Sequence, residues 1–126
     1  MANILLIEPD SILNKTYAQA LIKQGHTVSS AKTIERAIQL LDQEKIELVI
    51  TEIQIALHNG LEFIYEMRSY PEWQSIPIII NSFVPANKFA DSNSLNQLNI
   101  ADVLYKPNVS LKQLCDKVSQ HILLAA

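Results

Sequence analysis

Three carboxylates, a hydroxyl and an ammonium fall just past the apolar runs of this sequence. Glu8 and Asp10 follow Ile4–Ile7, Glu52 follows Leu48–Ile50, Ser82 follows Ile78–Ile80, and Lys106 follows Ile100–Tyr105. Such groups, if gathered, can move protons or hold a charged ligand. Taken singly, each is also what a strand end looks like where it meets water. The joint pattern matters because ligands of an open parallel sheet sit beyond the carboxyl ends of its strands, near the point where strand order reverses. All five groups would then converge on that edge.

The elements that must position them read as a (βα)5 alternation. Ile4–Ile7 is a continuous apolar run, as expected of a strand buried on both faces. Asp10 or Ser11 can cap the next helix, in which Leu13, Tyr17, Ala20 and Leu21 share a face and which Gly25 ends. A second strand is expected over 26–30, and Ile34, Ala37, Ile38 and Leu41 then give a helical stripe. Leu48–Ile50 is the third strand, and Gly60 opens a helix carrying Leu61, Ile64 and Met67 or Arg68, with Pro71 just beyond its end. Pro77–Ile80 makes the fourth strand, 87–98 a helix closed by Asn99 in the left-handed region, and Ile100–Tyr105 the fifth strand. Ser110 with Gln113 reads as a capping box for a last helix burying Leu111, Leu114, Cys115, Val118 and Ile122.

Composition removes several classes of function. The chain has 126 residues and a net charge of −3, with no basic stripe, so nucleic-acid binding is not expected. It holds two glycines where average usage predicts roughly nine. Neither G-x-G-x-x-G nor G-x-x-x-x-G-K-[ST] can be written from it, which excludes the glycine-rich phosphate loops. One cysteine, Cys115, excludes an internal disulfide and reads as a small core residue. Met1 leads into Ala2-Asn3 rather than a basic leader, and no apolar run is long enough to span a bilayer. A single cytoplasmic domain over 1–126 is expected, without membrane contact or a separate output domain.

The order and spacing of five segments carry a resemblance: Ile4 to Asp10, Glu47 to Gln54, Gly60-Leu61-Glu62 eight residues past Glu52, Ile76 to Ser82, and Ala101 to Pro107. Together they resemble the receiver domains of two-component response regulators over essentially the whole chain, although the interval from Ser82 to Lys106 is slightly long. The resemblance implies a CheY-like, flavodoxin-like α/β fold, a doubly wound five-stranded parallel sheet in the order 2-1-3-4-5. It also implies a site in which an acidic pair after strand one and an aspartate ending strand three hold Mg²⁺. That aspartate accepts a phosphoryl group from a histidine kinase, a hydroxyl after strand four binds its oxygen, and a strand-five lysine pairs with its charge. Glu8 matches the first acidic position, Ser82 the hydroxyl and Lys106 the lysine, and a cis Lys106-Pro107 bond is expected with them.

Two positions depart from that pattern. Glu52 stands at the phosphoacceptor, where its extra methylene displaces the oxygen in a reaction dominated by in-line positioning. Pro9 stands where the second metal-binding carboxylate belongs and offers no oxygen. Glu8, Asp10, Glu52 and the backbone of Gln54 remain as poor metal ligands, so no cofactor is expected. The expectation is a non-enzymatic pseudo-receiver working by phosphorylation-independent protein contact. Glu52 either reaches Lys106 or Ser82 and imitates the phosphorylated arrangement, or is a relic. The alternatives are a phosphoryl-accepting receiver with a rearranged Mg²⁺ site, and a flavodoxin-like ligand binder or enzyme using its edge carboxylates.

Partners follow from the resemblance: a histidine kinase, an output protein, or a second copy through the fourth helix, fifth strand and fifth helix. The family's aromatic switch position holds Val103, which is stiff at χ1, and Tyr105 shares its face of the strand. His26, His58 and His121 are too scattered to read as a metal set, and Trp73 reads as a lid over the core.

Overall fold

The computed structural model describes residues 2–55, 58–88 and 92–125. Five parallel strands, β1 (Asn3–Ile7), β2 (Thr27–Ala31), β3 (Leu48–Thr51), β4 (Ile78–Ser82) and β5 (Asp102–Tyr105), form one sheet in the order β2-β1-β3-β4-β5. The helices are α1 (Ser11–Lys23), α2 (Ile34–Gln43), α3 (Gly60–Ser69), α4 (Ser92–Gln97) and α5 (Leu111–Ala125). This is the doubly wound α/β sheet that the alternation predicts. The chain runs from β1 out to β2 and returns to β3 on the other side of β1, so strand order reverses between β1 and β3.

Alternation along each strand divides the core in two. Leu5, Ile7, Val49, Ile78 and Ile80 pack with α2 and α3, while Ile4, Leu6, Leu48, Ile50 and Ile79 pack with α1 and α5. The central strands are sealed on both faces, which is why they read as unbroken apolar runs. Each fully buried Leu or Ile contributes about 1.5–3 kcal/mol. Trp73 is 8% exposed and closes the α2–α3 side against Tyr70, as a lid would.

Local signals fix the helix ends. The Asp10 carboxylate accepts from Leu13 N at 2.9 Å and caps α1, and Gly25 takes the left-handed turn beyond it at φ 97°. Asn99 adopts φ 55°, and Ser110 and Gln113 exchange both bonds of a capping box.

Four expectations need correction. The helix expected over 87–98 is, among the described residues, a 3-10 turn at Ala86–Lys88, closed by Lys88 N on Pro85 O at 2.9 Å, and a short α4; 89–91 lie outside the described residues. Leu111 is 41% exposed, since as the first residue of α5 it stands clear of the sheet. The fifth strand begins at Asp102, not Ile100, because Ile100 N bonds Leu95 O and so still closes α4. Among the described residues no peptide bond is cis, so Lys106-Pro107 is trans, at the start of a 3-10 turn.

Candidate functional site

The reversal point brings the ends of β1 and β3 side by side. Glu8 N bonds Ala31 O at 3.0 Å and Glu52 N bonds Ile7 O at 3.1 Å, so ladder hydrogen bonds fix the backbone of both residues. Asn14 of α1, which is buried, donates to Glu8 O and Ala31 O and holds the turn after β1 down. On the β3 side, Gly60 N bonds Ile53 O at 2.8 Å. A Cβ on Gly60 would stand 2.6 Å from Glu52 O and 2.9 Å from Ile53 Cα. Only glycine lets α3 begin this close to the residue after β3.

Glu8, Glu52, Ser82 and Lys106 are all buried, and they form one network. The Lys106 ammonium donates to Glu8 Oε1 and, at 2.5 Å, to Glu52 Oε2. Glu52 Oε1 accepts from the Ser82 hydroxyl and from the N–H groups of Ile53 at 2.7 Å and Gln54 at 3.2 Å. Both oxygens of Glu52 are therefore occupied. The Phe83 ring lies against the ammonium, 4.7 Å from its centroid, a cation–π contact on the side open to water.

Two carboxylates share one ammonium. Burial pushes Glu52 up, but its bonds from Lys106, Ser82 and Gln54 outweigh this and hold the carboxyl below its ordinary range. Burial pushes Lys106 down, but the bonds to Glu52 and Glu8 and their charge carry it above its ordinary range. Both groups are charged at neutral pH. Tyr17, half-buried beside Asn81 near this network, is pushed up by burial.

Asp10 does not join. It is exposed and turned onto α1 as its cap, and only its N–H reaches inward, to Glu8 Oε2 at 3.0 Å. Pro9 adds no side-chain polar atom. These residues fit Mg²⁺ poorly, because Glu8 Oε1 and Glu52 Oε2 receive the Lys106 ammonium, the other two oxygens receive N–H and hydroxyl donors, and Asp10 faces away. Among the described residues no group of three or more His, Cys, Asp or Glu is placed to hold a metal ion. Val103 packs against the α2–α3 core, and Tyr105 is 38% exposed at the end of β5, opposite Ser82 in the ladder.

Asn14 and Phe83 belong to this site and are not singled out by the sequence. An Asn one turn into a helix and a Phe after a strand carry no signal of their own, since their roles depend on which backbone lies alongside. His26 accepts the Ala2 N–H at 3.3 Å, and His121 pairs with Asp102 at 3.0 Å, so both serve the scaffold. Cys115 is buried and its thiol is pushed up by burial, which leaves it a poor nucleophile.

Comparison with known proteins gives a consistent picture. The family model described as the response regulator receiver domain matches residues 4–119. A probable transcriptional regulator, ycf29, of Porphyra purpurea is 32% identical over 77 residues, or 61% of this chain. The chain spans well under half the length of the curated relatives it matches, 37% in this case. A sensor protein from Polaromonas sp. JS666 superposes with a TM-score of 0.89 at 18% identity, covering 99% of this chain and 98% of that one. The chemotaxis response regulator CheY4 of Vibrio cholerae gives a TM-score of 0.83 at 18% identity, covering 97% and 98%.

Proposed function

Because the chain belongs to the response regulator receiver domain family, a family of two-component signalling modules, we propose that it signals as a pseudo-receiver, by protein contact without phosphorylation. One observation carries the reading: the Glu52 carboxylate already takes up the donors that a phosphoryl group at this edge would need. Lys106, Ser82 and the N–H groups of Ile53 and Gln54 all end on its two oxygens. A phosphodonor would have to break these bonds in a site that already holds one more negative charge than positive. No Mg²⁺ would offset that charge, since Pro9 lacks an oxygen and Asp10 is turned away. Glu52 thus stands in for the phosphoryl group, with one charge and two oxygens in place of about two charges and three. The module is not an enzyme in this reading, and its output is the surface that this fixed arrangement presents to a partner.

The test is incubation with Mg²⁺ and acetyl phosphate, read by intact mass. No adduct is expected. A Mg²⁺-dependent, hydroxylamine-labile gain of about 80 Da, the mass of one phosphoryl group, that disappears in Glu52→Gln would overturn the reading in favour of a phosphoryl-accepting receiver.

A further inference from the structure

The charge of this chain is unevenly placed. Two cavities, of about 250 and 350 Å³, lie along the groove between α2 and the segment from α3 to Ile76. The first has a floor of Ile34, Ile38 and Phe63 and walls carrying Glu35, Glu62 and Glu66. The second has Leu41, Ile46 and Trp73 below and Asp42, Glu44 and Glu72 at its rim, with Lys45 as its one cation. Ile34, Ile38 and Leu41 form one helical stripe, so the two cavities belong to a single groove as long as α2, ten residues or about 15 Å. Among the described residues that line the two cavities stand six of the chain's 13 carboxylates and one of its ten lysines and arginines. Arg36 bonds Gln39 and Arg68 is turned onto backbone carbonyls, so neither is directed at Glu62 or Glu66.

The opposite side of the sheet shows the reverse pattern. Ile12, Lys15, Gln19 and Ile22 follow one another at three- and four-residue steps along α1, with Lys23 four residues past Gln19, and all are exposed. Ile12 is 77% and Ile22 54% exposed, two apolar side chains ten residues or about 15 Å apart with nothing covering them. No acidic residue lies within α1, and Lys32 adds a cation at its start, donating to Ser11 Oγ at 2.8 Å. The face is apolar at both ends and cationic between and beside them. The groove is apolar along its floor and anionic along its walls, over the same length.

We propose that the α2–α3 groove docks a second copy of this chain, which lays the outer face of its α1 along it. Ile12 and Ile22 sit over the two cavities, and Lys15 and Lys23 meet the flanking carboxylates. Groove against groove, or α1 against α1, would oppose like charges, so the contact is head-to-tail. The pair is left with one free groove, on one copy, and one free α1, on the other, and assembly runs on into chains or closes into rings. Docking does not depend on what position 52 does, because neither surface includes the buried network.

Sedimentation velocity on the full chain tests this, with Trp73, the single tryptophan, as an optical reporter in the groove. At low salt the average mass is expected to climb with concentration above 14.2 kDa while Trp73 emission shifts. Both effects should fade at about 1 M salt, where screening shortens to about 3 Å. Lys15→Glu with Lys23→Glu, or Glu62→Lys with Glu66→Lys, should each give monomers, and mixing the two variants should restore association. All four positions are on the surface, and circular dichroism checks that both variants fold. A mass that levels at twice the monomer, or association that neither variant disturbs, overturns the proposal. So does a chain still monomeric at about 1 mM; if a Lys/Leu amphipathic peptide then shifts Trp73 emission, the groove belongs to a different protein.

Discussion

Lys106→Met isolates the electrostatics of the buried network. Methionine nearly fills the space of the lysine stem and removes only the ammonium, leaving Glu8 and Glu52 buried side by side. Breaking a buried ion pair by deleting one partner costs about 3–5 kcal/mol. The unfolding entropy of a chain this size is about 0.26 kcal/mol/K, so the melting temperature should fall by about 10–20 °C. Total stability of such a domain is about 5–15 kcal/mol, so the variant should still fold and be measurable. The pH dependence is the sharper readout. In the native protein the Glu52 pKa lies below its unfolded value, so its stabilisation is complete above about pH 4.3 and is lost as pH falls through the folded value. In Lys106→Met two buried carboxylates face each other with no cation between them, so the folded state favours one proton shared by the pair. Stability should then increase as pH drops from 7.5 to 5.5. Adding Glu8→Gln should therefore recover at least half the loss and flatten the pH dependence. Urea unfolding followed at Trp73 measures all of this. A Lys106→Met protein within about 1 kcal/mol of the native chain at pH 7.5, or one that weakens towards pH 5.5, would refute the reasoning.

Two further perturbations probe what holds the site in place. Gly60→Ala should cost about 1–3 kcal/mol in urea unfolding, because the added Cβ meets the backbone at Glu52 and Ile53 rather than a movable side chain; an unchanged midpoint would mean that α3 shifts freely. Arg68 donates to the carbonyls of Trp73, Ile76, Leu98 and Asn99, clamping the approach to β4 to the turn before β5. Arg68→Lys should lose about 1.5–3 kcal/mol by thermal melting despite keeping the charge, since one ammonium cannot span four acceptors; full retention of stability would show the clamp to be idle.

Much of the scaffold is legible in the sequence because its signals are local. The apolar runs of β1, β3 and β4, the Asp10 cap, the Ser110–Gln113 box and the left-handed Asn99 depend on near neighbours alone. The site is legible only as far as the positions of its groups. That Glu52 would reach both Lys106 and Ser82, while Asp10 would turn away to cap α1, depends on side-chain directions that no spacing encodes. Asp10 could serve the cap or the edge, and the orphan N–H groups at the start of α1 win because that bond is made within three residues. Arg68 reads as one of two choices for an apolar stripe, and its four carbonyl partners come from segments up to 31 residues away. The helix expected over 87–98 shows the reverse failure: Asn99 marks a real helix end, but the chain begins that stretch with a 3-10 turn after Pro85 that length and spacing do not encode.

Pro9 makes the arrangement hard to reverse. Glu52→Asp alone withdraws the carboxylate from Ser82 and the Ile53 N–H, yet position 9 still offers no oxygen and Asp10 is still engaged with α1. Pro9→Asp alone places another carboxylate beside two that already share a single ammonium. Each step by itself is uphill, and only the two together begin to rebuild a metal site. Positions 9 and 52 are therefore coupled through one shared ammonium, and a change at either is felt at the other.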